Sequence, residues 1–465
     1  MTIKDRIDVI RRALREFLAL PSLIIFLFML LAVIAYMFER SELTLYSPLR
    51  DFLEARIFAD AQATSELLST IAGSIITVTS ITITLMLLIL QQTASTMSTQ
   101  VFDQFLRRRS NQIYFGFFIG LALYTLITLA TVDEPFNPIF AAALAYLMTV
   151  IALYLLILLF YSTIHQMRPP VIIQAIHDHT LSARERQLEL ILQTRRKPDF
   201  TAGVVEPVPA NAHGFVTRIN ALALAEIVRD TDAVGEVVLN VSIGSFVAFG
   251  DPIAEVRLVQ EAEDETGENG IDADEKLQRR EKLQRRVRGA VYLERSRDLT
   301  SDPAYGIAQL ENIAWTATST AKSNPNPGQQ VIYILRDLMA RWGDEEPHQA
   351  EKDPLPVVYN DSVLLDLLGA FESLTVVAST SKEHQILAEV LNAFSTQYTR
   401  LPEAWVAPVE DAIDRILTTA GEHTLTRTLE VALAQLSEVL EAAEQAELAQ
   451  RVQALLDRMR VRGKI

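Results

Sequence analysis

Hydroxyl side chains recur at regular spacing in one apolar stretch. Thr70, Ser74, Thr77, Ser80 and Thr84 follow each other at steps of three and four, and the line ends at Gln91. Such steps place residues on one face of an α-helix. Ile75, Val78, Leu85 and Ile89 run along the opposite side. Inside a membrane, hydroxyls can bond back to the i−4 carbonyl. They can also join helices through close approach and inter-helix hydrogen bonds, or replace part of a hydration shell along a water-filled path. Packing and pore lining both stay open for Thr70, Ser74, Thr77, Thr84 and Gln91.

A second cluster mixes charges with an aromatic ring. Arg295, Arg297, Asp298, Asp302 and Tyr305 fall within eleven residues and suit a ligand or subunit contact. The structural alternative is a helix start, with Ser301 or Asp302 as N-cap before Pro303. Patterns for catalysis are weak. Ser319-x-x-Lys322 has the spacing of serine acyl enzymes but lacks the accompanying S-D-N and K-T-G elements. The seven histidines are scattered, and His177 and His179 point to different sides of a helix. An EF-hand loop starting at Asp264 puts Asn269 where glycine is needed, and one starting at Glu265 ends on Lys276. With no cysteine, thiolate metal sites, disulfides and cysteine nucleophiles are excluded. The expectation is a protein that is not an enzyme, with no metal and no cofactor.

The elements around these residues divide into two populations. The 465 residues are 49% hydrophobic, yet carry 42 Lys+Arg and 58 Asp+Glu, a net charge of −16. Mean hydropathy is +0.19. Uncharged apolar runs cover 18–38, 67–92, 113–132 and 139–163. Each is long enough to cross a bilayer core, which takes about 20 residues. The first run exceeds a signal-peptide core, and no A-x-A-like cleavage site follows it. No ionisable group interrupts the four cores, which argues against a proton relay. Basic residues sit in 1–17, at Arg107–Arg109 and after the fourth span, whereas acids outnumber Arg40, Arg50 and Arg56 in the 39–66 loop. The positive-inside rule then puts both termini in the cytoplasm. Residues 1–200 hold 17 Lys/Arg and 16 Asp/Glu, so 201–465 carry a net −17. A sequence pI near 5.0 disfavours nucleic acid as a partner.

This predicts an α-helical membrane domain of four transmembrane helices over 1–165, followed by a cytoplasmic α+β region. No helix breaker interrupts 67–106, so the second helix can extend past the bilayer for about 60 Å. Gly116-x-x-x-Gly120 in the third span reads as a packing face or as simple composition. A connecting helix and linker fill 166–200. Alternating residues at Val237, Leu239 and Val241, with turns at Gly244 and Gly250, predict a small β module over 201–260. Its GSFVAFGDPI phrase is similar to the hairpin of biotinyl and lipoyl carriers, but no lysine lies between Lys197 and Lys276 to hold such a group. An acidic loop and the basic helix Lys276–Arg288 occupy 261–300, and that helix could face anionic headgroups, a vestibule or the loop itself. A helical domain covers 301–465.

Three blocks together resemble the DUF2254 family of predicted bacterial membrane proteins. They are Ser65–Leu129, Gly244–Ile253 (GSFVAFGDPI) and Arg297–Ala314 (RDLTSDPAYGIAQLENIA). The family's SP-x-x-NDP segment is altered here to KSNPNPGQ, Lys322–Gln329. The resemblance runs over roughly 15–440. It implies a membrane protein and carries no activity. Function is therefore expected from the residues: a homo-oligomeric, channel-like or permeation protein of the bacterial inner membrane, with the second span lining the path for ions. The alternative is a membrane-anchored scaffold or sensor whose cytoplasmic half binds a partner.

Overall fold

A computed structural model describes residues 18–40, 52–53, 58, 60–96, 109–133, 136–199, 204–231, 233–258, 273–319, 324–345, 354–421 and 423–462. The basic stretch 1–17, Arg107, Arg108, the acidic segment 260–272 and Lys322 lie outside the described residues. The chain divides into two compact units, Met1–Val171 and Ile172–Ile465.

The first unit holds four long helices: α1 (Ala19–Glu39), α2 (Ala61–Thr96), α3 (Arg109–Ala130) and α4 (Ile139–Gln166). Each apolar run became one helix. α2 begins before its apolar run because Asp60 caps it, accepting from the Ala63 amide at 2.6 Å. It has 36 residues, so it spans about 54 Å at 1.5 Å per residue. The expected extension to Leu106 is described as far as Thr96; 97–108 lie outside.

Close packing in this unit depends on two glycines of α3. A Cβ on Gly116 would lie 3.0 Å from Pro21 Cα and Ile24 Cβ of α1, and one on Gly120 would lie 2.6 Å from the Phe28 ring. The Gly-x-x-x-Gly pair is thus a packing face, and small residues there let the helix backbones approach. Glu39 ends α1 and accepts from the Phe140 and Ala141 amides, capping α4 at 3.0–3.3 Å. Tyr124 of α3 donates to the Ala141 carbonyl. α2 packs through Leu68, Ile71, Ala72, Ile75 and Met86, which are buried.

In the second unit, α5 (Pro169–Gln193) runs beside two small sheets. Their elements are β1 (Val204–Pro209), β2 (Gly214–Ile219), α6 (Ala221–Arg229), β3 (Val234–Leu239), β4 (Phe246–Val247), β5 (Pro252–Leu258), α7 (Ala273–Ala290), β6 (Val291–Glu294) and β7 (Val357–Val358). One sheet has the order β1-β5-β3-β7, the other β4-β2-β6. Pairing is antiparallel except for β3 with β7. β6 and β7 come from outside 201–260, so the sheets reach beyond the span expected for the β module. Their core is shared by Leu190 and Ile191 of α5, Val287 and Ala290 of α7, and Tyr359.

Seven helices follow: α8 (Pro303–Ser319), α9 (Asn326–Glu345), α10 (Val363–Ser381), α11 (His384–Gln397), α12 (Glu403–Ala420), α13 (Arg427–Ala442) and α14 (Ala446–Arg462). They alternate between two layers. α8 packs on α10 and α10 on α12, while α9 packs on α11 and α11 on α13. This is the stacking of helix pairs seen in α-solenoids. The leucines of α13, Leu429, Leu433, Leu436 and Leu440, are buried in that stack.

Among the described residues, five helices are long and apolar enough to cross a membrane: α1, α2, α3, α4 and α10. The buried share of the most apolar window is 17% in α1 and α4, 28% in α2, 44% in α3 and 50% in α10. In α10 the apolar side chains Leu367, Phe371 and Leu374 are enclosed by neighbouring helices, and Phe371 meets Phe394 at 5.2 Å.

Replacing Gly120 with Leu should force α1 and α3 apart and cost about 1–3 kcal/mol. Thermal unfolding in detergent checks this. Ile119→Leu, at an exposed neighbouring position, should leave the midpoint unchanged.

Candidate functional site

Two of the segments that resemble family blocks meet in the second unit. The first, Gly244–Ile253, begins inside the turn 242–245, closed by the Ser245 amide donating to the Ser242 carbonyl. Gly244 there has φ +91°, a left-handed conformation that side chains resist. The second segment supplies Arg297 and Asp302. The guanidinium grips the carboxylate twice, Nε to Oδ2 at 2.6 Å and Nη2 to Oδ1 at 3.1 Å. Asp302 also accepts from the Tyr305 amide at 2.9 Å, which makes it the N-cap of α8. The Tyr305 ring lies 4.9 Å from the Arg297 guanidinium. A Cβ on Gly244 would fall 2.6–2.8 Å from both carboxylate oxygens and from Arg297 Nη2. Glycine is required on two counts, backbone and space.

The same turn reaches α10. The hydroxyls of Ser242 and Ser245 are 2.9 Å apart, those of Ser242 and Ser362 3.1 Å apart, and Ser362 donates to Asp366. The Ile243 amide and Gln187 both donate to the Tyr359 hydroxyl, at 3.3 and 3.0 Å. Burial, reinforced by the Asp361 carboxylate, pushes the Tyr359 phenol up to about 12. Arg184, buried on α5, donates to Gln187 and to Asp361 at 2.6 Å and lies over the Trp342 ring. A glycine turn, the starts of α8 and α10, and α5 are thus joined by one polar network.

Of the residues singled out in sequence, Arg297, Asp302 and Tyr305 converge. Asp298 instead shapes the loop, accepting from the Thr300 amide and hydroxyl. Arg295 is exposed and stands apart from the network. No local pattern in the sequence marks Ser242, Ser362, Tyr359, Gln187 or Arg184 as members of the network. The network holds hydroxyls and carboxylates, and among the described residues no histidine joins it. His177 pairs with Asp337, and His384 with His423. Nor do the described residues contain a group of three or more metal-ligating side chains.

The seam of α2 is differently disposed. Thr70, Ser74, Thr77, Thr84 and Gln91 are all exposed. Thr70, Thr77 and Thr84 donate to the i−4 carbonyls of Glu66, Gly73 and Ser80 at 2.7–2.9 Å. The helix packs on its neighbours through other residues, so among the described residues the seam is not a packing face. Each hydroxyl oxygen keeps acceptor capacity toward whatever lies outside.

Apolar helices of membrane-crossing length, joined to a large unit of sheets and stacked helices, define a multi-helix membrane protein. The chain belongs to the DUF2254 family, predicted membrane proteins, whose model matches residues 15–396. No curated protein and no solved structure matches the chain.

Gly244→Ala should break the network from the turn side. Asp302→Ala should cost about 3 kcal/mol, because it strands a partly buried guanidinium and removes a cap. Asp302→Asn should cost less, since an amide oxygen can still cap. Chemical denaturation of the purified chain, followed by tryptophan fluorescence, measures the order.

Proposed function

We propose that this is a homo-oligomeric permeation protein of the bacterial inner membrane, with α2 of each copy lining a path for ions. The observation behind this is the exposed row Thr70, Ser74, Thr77, Thr84 and Gln91, set away from the buried face of Leu68, Ile71, Ile75 and Met86. A row of hydroxyls turned outward from the helix cluster suits a surface shared by several copies around water. On this reading α1–α4 span the bilayer with both termini cytoplasmic. α10 is then a helix of the cytoplasmic stack, with Leu367, Phe371 and Leu374 buried against its neighbours.

A second reading makes the protein a membrane-anchored scaffold or sensor. It is favoured by the Gly244–Arg297–Asp302 network, which joins two family-like segments far from α2 in sequence. Neither reading assigns an enzymatic reaction or a cofactor.

In proteoliposomes, the purified protein should pass ions. Thr77→Leu with Thr84→Leu should reduce flux at least about tenfold while leaving assembly intact, as a polar lining loses its hydration partners. A monomer in detergent, or no conductance under any ion gradient, removes the permeation reading. A partner captured through residues 201–465 and indifferent to α2 substitutions supports the second.

A further inference from the structure

A cleft of about 410 Å³ opens in the second unit between α5, the end of β2, the start of α6 and β6. Arg186, Glu189, Arg218, Asn220 and Tyr292 line it. Its volume falls in the range of small-molecule sites. The two arginines bring positive charge to one wall of the cleft. Arg184, Arg286, Arg297, Arg415, Arg451 and Arg460 each pair with a carboxylate. Among the described residues, Arg186 instead donates to the Thr300 carbonyl, and Arg218 lies 3.9 Å from the centre of the Tyr292 ring. In a unit, 172–465, of net charge −16, two guanidinium groups without an ion-pair partner among the described residues thus line one cleft.

We propose that this cleft binds a sugar phosphate, alone or as the phosphate end of a mononucleotide. A guanidinium fork matches phosphate oxygens and offers two parallel donors. Glu189 supplies the selectivity. A carboxylate in the same cleft repels a second anionic group but accepts hydrogen bonds from sugar hydroxyls. The ligand class is therefore one phosphate ester with hydroxyls beside it, rather than a bare polyanion. Ile243 and Ser301 also line the cleft. Each is the chain neighbour of a network residue, Gly244 or Asp302. An occupied cleft would bear on the turn and on the start of α8. The assignment stands whether or not α2 conducts.

The test uses the full chain in detergent and calorimetric titration with AMP, ribose 5-phosphate and inorganic phosphate. Nanodiscs containing phosphatidylglycerol form a separate arm, because a lipid headgroup offers the same phosphate chemistry. AMP or ribose 5-phosphate should bind more tightly than inorganic phosphate. Arg218→Gln and Arg186→Gln should each weaken binding about tenfold or more, as expected for a charge-assisted contact. Glu189→Gln should narrow the gap between the sugar phosphates and inorganic phosphate. Lys282→Gln, on α7 away from the cleft, should change nothing. Unfolding curves establish that each variant is folded. The proposal is overturned if the folded wild-type chain binds neither sugar phosphate at about 1 mM. It is also overturned if both arginine variants bind like wild type, or if arginine-dependent binding occurs with the lipid alone.

Discussion

Both oxygens of the Asp302 carboxylate are committed. They receive the Arg297 guanidinium, one of them also receives the Tyr305 amide, and Gly244 closes over them. The side chain is 3% exposed, so little water competes for it. A carboxylate enclosed in this way needs its partners, because an unpaired buried charge is far more costly than an unpaired exposed one. The turn of the sheets, the first turn of α8 and the arginine therefore hold their places together. The sheets are small, and β4 and β7 are two residues each. Strands so short do not persist alone. What fixes them is the surrounding contact: β7 pairs with β3, Arg195 bridges to Val358, and Tyr359 receives two donors from the turn and from α5.

The membrane unit obeys a different constraint. Hydrocarbon gives no hydrophobic drive for helix association, so steric fit and a few polar contacts decide it. Gly116 and Gly120 supply the fit of α3 against α1, and Glu39 closes the first turn of α4. α2 joins this cluster with one apolar face and leaves its hydroxyl face outward. The threonines there satisfy their own donors by back-bonding, so the outward face is tolerable in one copy. Its acceptors stay available for water or for another copy.

α10 has the length and apolarity of a membrane span, yet half of its most apolar window is enclosed by protein. Phe371, Leu374 and Val377 meet α8, α11 and α12 rather than solvent. Its Glu372 pairs with Arg415 of α12 at 2.7 Å. An inner helix of a solenoid is apolar on most sides because neighbours approach from most sides.

Local rules made much of this chain legible. Uninterrupted apolar runs of bilayer length gave α1–α4 within a few residues, since period and length are properties of neighbours in sequence. The turn glycines, the cap before Pro303 and the spacing of the α2 hydroxyls were readable for the same reason. Asp60, which starts α2 ahead of its apolar run, was a local signal that the hydropathy pattern masked. Long-range partners were not legible. No pattern in the sequence links Val237 to Val357, or Ser242 to Ser362, or Gln187 to Tyr359. Arg297, Asp302 and Tyr305 could be picked out as chemically rich, but whether they met, and that Gly244 would seal them, depended on how the sheets packed against α8 and α10. The same holds for Arg186 and Arg218, which lie 32 positions apart and share a cleft. Sequence determined which residues were helical, which were apolar and where charge accumulated. Tertiary structure decided which charges were neutralised by a partner and which were left facing a cavity, because that depends on packing between distant segments.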